Sequence, residues 1–342
     1  MPKYIFFIFC FFAIHIPFYS EPLPGKPSIL FNPLENDEYT QAWNLFFYNN
    51  ETTAQITFII GNLGPGNLNN GYAVFVHNNK KEIIFIKELN SKTLITEKKK
   101  LYIAMDQSNI LKKTSKRQIS GKAFSNDDQT VSIELFPSNS FASLNNSVLL
   151  KKDHFINQDM HLITPRATLT IESSKEKQVF HGWGGMEHLR LDSLPNHYAQ
   201  SFIIARSKPG RNMIVITGFH GNSGYDEKPE FKYFILKNNI TVKSGKITTV
   251  ENSEKTIKSD KKPYIPEKIK MITDASGNCS ITINNRLPKG RLDVFTNVTP
   301  FFKWILKLVF TEPSIIYYYS QMKYSCNNNN FTTEALINFI TL

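Results

Sequence analysis

Cysteine and tryptophan are both scarce in this chain, with three of each among 342 residues. The cysteines lack the setting of a catalytic thiol, and no Gly-x-Ser-x-Gly elbow occurs, so the sequence offers no case for nucleophilic catalysis. The one long apolar run, Tyr4 to Ile16, is shorter than the roughly 20 residues a spanning helix needs. Helical periodicity is missing until the last fifty residues. Metal-ligand spacing is missing too. Neither His181, Glu187 and His188 nor Asp153, His154, Asp159 and His161 has a zinc-type spacing, so no metal and no other cofactor is expected. Gly61 to Gly66 is glycine-rich but leads into a strand rather than a helix, which argues against a phosphate cradle.

What the chain does have is apolar and aromatic residues. Forty-one per cent is hydrophobic, with 27 Phe and 14 Tyr, a supply that suits pleated, half-buried surfaces. The length predicts two domains. Lys3, the apolar run behind it and the polar Glu21 after Ser20 predict a secretory signal peptide over residues 1–20 and a secreted or periplasmic protein. Removal of that peptide leaves Cys279 and Cys326, which could form one bridge or remain two buried thiols. The formal charge of +11 favours anionic surfaces, and for an exported protein an anionic membrane surface is a better partner than nucleic acid.

Short β-branched and aromatic runs recur with turn chemistry between them. In the first half they are Trp43 to Tyr48, Gln55 to Ile60, Tyr72 to His77, Ile83 to Ile86, Leu101 to Met105 and Val131 to Phe136. The second half repeats the style through Tyr198 to Arg206, Met213 to Phe219, Phe231 to Leu236, Ile269 to Ile272 and Ser280 to Asn284. Thr248 to Pro266 reads as a surface loop. The boundary is expected near Ser173 to Lys175, giving domains 21–174 and 175–342. Phe301 to Phe310 reads as a short helix stopped by Pro313, with Lys303 and Lys307 on one face. If that helix docks on a membrane, Phe301, Trp304 and Phe310 are its contacts.

From Pro165 to Phe219 the sequence runs through a strand, a Gly182-Trp183-Gly184-Gly185 turn, the Glu187-His188 pair and two further strands. From Pro300 to Leu342 it runs through a helix, a proline, an Ile/Tyr-rich strand, a turn and a last strand. Both segments resemble the lipocalin-like superfamily of fungal survival factors, AttH-like proteins and carotenoid 1,2-hydratases. The resemblance implies an all-β chain of two consecutive antiparallel lipocalin-like β-barrels with a short C-terminal helix. It also implies a hydrophobic small molecule or lipid as cargo, with Trp43, Phe47, Trp183, Met186, His188 and Phe202 as lining residues. An enzyme acting on a polyene or terpenoid lipid is the alternative, with His188 and Glu187 as acid-base candidates. A structural or adhesion β-protein is a second alternative. Adjacent strand residues point to opposite faces, so at most one of Glu187 and His188 should enter a barrel.

Overall fold

The computed structural model describes residues 29–31, 39–62, 68–78, 82–89, 93–115, 118–125, 128–137, 143–150, 154–192, 195–253, 256–257, 265–273, 278–293, 314–327 and 329–341. The expected signal peptide and the expected helix with Phe301, Trp304 and Phe310 lie outside these residues. Within them the chain is built of antiparallel strands with two single 3-10 turns, Pro195–His197 and Ser223–Tyr225.

The first sheet opens with β1 (Thr40–Tyr48), β2 (Thr52–Asn62), β3 (Leu68–Asn78), β4 (Glu82–Leu89), β5 (Ile95–Thr96) and β6 (Tyr102–Ala104). It continues with β7 (Ile110–Ser115), β8 (Gln118–Phe124), β9 (Thr130–Leu135), β10 (Leu144–Leu149), β11 (Phe155–Glu172) and β12 (Lys177–Leu191). The strand order is β4-β3-β2-β1-β12-β11-β9-β8-β7-β6-β5, with β10 paired to β11. The second sheet takes β13 (Ala199–Ser207), β14 (Asn212–Gly221), β15 (Pro229–Lys237), β16 (Ile240–Lys246) and β17 (Thr249–Asn252). A two-stranded ribbon of β18 (Thr256–Ile257) and β19 (Ile265–Pro266) follows, then β20 (Lys268–Ile272), β21 (Cys279–Asp293), β22 (Ser314–Cys326) and β23 (Asn329–Thr341). The last strand returns to pair with β13, giving the order β16-β15-β14-β13-β23-β22-β21-β20-β17. Each sheet curls into a half-barrel around its own core, and the chain is two antiparallel lipocalin-like β-barrel units.

Alternation along the strands explains the layers. Trp43, Leu45 and Phe47 point into the first barrel, while Phe46 and Tyr48 point outward to a seam shared with Met213, Val215, Phe234 and Tyr319 of the second. With period-two side chains, an aromatic strand such as β1 supplies two cores at once. A second apolar seam joins Ile156 and Leu191 to Tyr198, Phe202 and Phe219.

Three expectations change. Ser173 to Lys175 lies in the turn of the β11–β12 hairpin, where the Ser173 amide bonds the Glu176 carbonyl at 2.8 Å. The chain passes from the first sheet to the second between Leu191 and Ala199. Gly182-Trp183-Gly184-Gly185 is continuous strand within β12, not a turn. Its glycines serve close packing: a Cβ on Gly184 would lie 2.3 Å from the Phe46 carbonyl oxygen, and one on Gly185 would lie 2.2 Å from that of Leu162 and 2.5 Å from the Phe46 ring. Part of the expected loop from Thr248 to Pro266 is β17, whose register against β20 covers Thr249 to Asn252. The two cysteines face each other across β21 and β22 and are bridged.

Candidate functional site

A groove with a cavity volume of about 840 Å³ opens between the two barrels. Tyr48, Phe136, Ala167 and Trp183 line it from the first barrel, and Lys208 and Pro209, in the turn after β13, line it from the second. Its polar rim includes Glu51, Arg166 and His181. Tyr48 stacks on Tyr319 at 4.5 Å between ring centroids, and Trp183 meets Phe46 edge-on at 5.9 Å, so the two rings at the floor are backed by aromatic neighbours from both barrels. The β1–β2 turn at the rim is held by Asn49. Its Oδ1 accepts the amides of Glu51 and Thr52 at 2.9 and 2.7 Å, and its Nδ2 donates to the His181 carbonyl at 3.3 Å. Gly182 lets β12 run this close to β1, because a Cβ there would lie 2.3 Å from the Tyr48 carbonyl oxygen.

A buried polar chain also crosses the seam between the barrels. Arg206 from β13 is fully buried and donates to both carboxylate oxygens of Glu187. Its Nη1 donates to Asn338 Oδ1 at 2.8 Å, and Asn338 Nδ2 donates to Gln55 Oε1 at 2.8 Å. From there Gln55 reaches Thr57 at 2.9 Å, and Thr57 reaches Asn44 at 2.8 Å. The guanidinium also sits 4.5 Å from the centroid of Phe46, a cation-π placement. Burial raises the Tyr317 hydroxyl pKa beside this chain. A charge this deep is tolerated only when paired and hydrogen-bonded, which Arg206 is on three nitrogens.

His188 points the other way, into the first barrel. It stacks on Trp43 at 4.4 Å and 14°, and the Trp43 indole donates to the Ile29 carbonyl at 3.0 Å. Asp159 on β11 lies directly opposite His188 on β12, with Arg190 Nη2 at 2.9 Å from its Oδ2 and Asn145 Nδ2 donating to its Oδ1. His161 Nε2 is 4.0 Å from Asp159 Oδ2, and its ring is 6.1 Å from that of His188.

The six expected lining residues therefore do not form one site. Trp43, Phe47, Met186 and His188 face the first barrel's interior, Trp183 lines the groove, and Phe202 belongs to the second apolar seam. Of the acid-base candidates, Glu187 is committed to Arg206 and His188 lies in the first barrel rather than at the second. The two histidine-acid groups read from the sequence exchange members, since Asp159 and His161 from one meet His188 from the other. Arg206 was missed, although a lone arginine ending the run Phe202-Ile203-Ile204-Ala205 is itself a sign of a buried ion pair.

No protein-family model matches this chain, and no curated protein is similar to it in sequence. Solved structures are similar in fold. An AttH-like protein from Nitrosomonas europaea superposes with a TM-score of 0.62 at 13% identity, over 93% of this chain and 98% of that one. Kievitone hydratase from Nectria haematococca gives 0.57 at 10% identity, over 94% of each chain. CghA in complex with Sch210972 gives 0.53 at 7% identity, over 89% of each. These are lipocalin-like proteins, and the fold of this chain is the two-barrel lipocalin-like fold they share.

Proposed function

We propose that this chain is an exported carrier that binds a hydrophobic small molecule, a lipid by class, in the groove between its barrels. The observation that carries the reading is the groove itself, an opening of about 840 Å³ in which Tyr48, Phe136 and Trp183 meet a polar border that includes Asn49, Glu51, Arg166, His181 and Lys208. Its size is that of ordinary small-molecule sites, and its aromatic side chains suit an apolar ligand. Export is supported by the pattern of residues 1–20 and by the Cys279–Cys326 bridge, which persists in oxidising compartments. The net charge of +11 supports delivery at an anionic membrane surface.

An enzymatic reading draws on the fold shared with kievitone hydratase and on the ionisable cluster around His188. The carrier reading is preferred because that cluster lies inside the first barrel. Among the groove's lining residues, His181 is the one histidine.

Titration of the full chain with the fluorescent fatty acid cis-parinarate tests the carrier. Saturable one-to-one binding with quenching of tryptophan emission is expected, weakened about tenfold or more by Trp183→Ala. Binding that is absent, or unchanged in that variant, removes the groove from consideration.

A further inference from the structure

We propose that Asp159, His161 and His188 form a site for one divalent first-row transition cation inside the first barrel, separate from the groove. Each offers a ligand atom, and the three atoms lie within 4.8 Å of one another. Ligand atoms around one zinc ion at about 2.0 to 2.2 Å are some 3 to 3.5 Å apart, so modest side-chain rotations close the set. Two nitrogens and one carboxylate oxygen match the donor set that zinc and ferrous iron accept.

The backbone is arranged to bring these groups together. In the β11–β12 ladder Asp159 pairs with His188, Met160 with Glu187 and Leu162 with Met186, so His161 is the extra residue of a β-bulge. Regular alternation would not put 161 and 162 on the same side of the sheet. Leu162 packs into the barrel core, and the bulge turns the neighbouring His161 inward as well, with only 5% of its side chain exposed. Bulges that re-aim one side chain are frequent beside functional sites.

The surrounding groups behave as supports for a ligand carboxylate. Arg190 donates to Oδ2 of Asp159 and Asn145 to Oδ1, which fixes the orientation of the carboxylate. Trp43, stacked on the His188 ring, fixes that ring's plane. The nearby guanidinium opposes a dication, so affinity on the order of micromolar is expected rather than that of closed structural zinc sites.

The test uses the full chain, stripped with a chelator and then titrated with zinc against a chromophoric competitor and, separately, with cobalt. One equivalent of zinc should bind, and cobalt should give ligand-field absorption together with quenched tryptophan emission from the Trp43 stack. His161→Ala and His188→Ala should each weaken binding at least tenfold. If His188→Ala fails to fold because the Trp43 stack is lost, His161→Ala at the bulge carries the comparison. Wild-type protein that binds no stoichiometric zinc, or variants that bind it as tightly as wild type, would overturn the site.

Discussion

Glu187 and His188 are neighbours on β12, yet one faces the seam between two barrels and the other the inside of one. On the seam side the charge of Glu187 is matched by Arg206 and continued through Asn338 and Gln55, so each of the three guanidinium nitrogens has an acceptor. On the interior side His188 lies flat on Trp43 among groups that present ligand atoms to one another. A single strand thus divides its work between two faces. The outward face fixes how the barrels sit, and hence the groove, while the inward face holds ionisable groups that the fixing does not use.

The largest effect should come from breaking the outward face. Arg206→Met leaves Glu187 buried without its partner, and a loss of about 3 to 5 kcal/mol in denaturant unfolding is expected. Adding Glu187→Leu to that variant should restore most of it, because the cost is mainly that of an unpaired buried charge. A single variant as stable as wild type would show that the seam is not held by this pair.

A smaller loss, about 1 to 3 kcal/mol, is expected for Gly185→Ala, whose methyl would meet the Leu162 carbonyl and the Phe46 ring. Thermal unfolding measures it, and an unchanged melting temperature would mean that the β1–β12 contact can relax. The smallest effect is a change of slope. Burial raises the Asp192 carboxyl above its usual 3.8, against the Phe155 amide and His154, which lower it. A raised folded-state pKa means that the contribution of Asp192 to stability is fully present below about 3.8 and is lost as pH rises through the folded-state value. Asp192→Asn should lack that fall. A stability-pH curve identical to wild type between pH 3 and 6 would contradict the assignment.

Much of the fold was legible because period-two aromatic runs survive almost unchanged as strands. Trp43 to Tyr48 makes up six of the nine residues of β1, and its two faces were readable from alternation alone. Phe155 to Thr164 was not, since Asn157, Gln158, Asp159 and His161 hide a strand behind polar residues that are buried only in the assembled molecule. The glycines of β12 misled for a related reason. Three glycines in four residues are usual turn chemistry, but here they permit close strand packing against β1 and β11, a tertiary cause with no local mark. The same blindness split the histidine-acid groups wrongly, because the β11–β12 register decides which members meet.

Amide hydrogen exchange of the full chain, with and without saturating cis-parinarate, is the most direct test of a ligand held between the barrels. New protection should appear together in Tyr48 to Thr52 of the first barrel and in Ser207 to Arg211 of the second, the two segments that wall the groove. Protection confined to strands of one barrel, with neither turn affected, would contradict it.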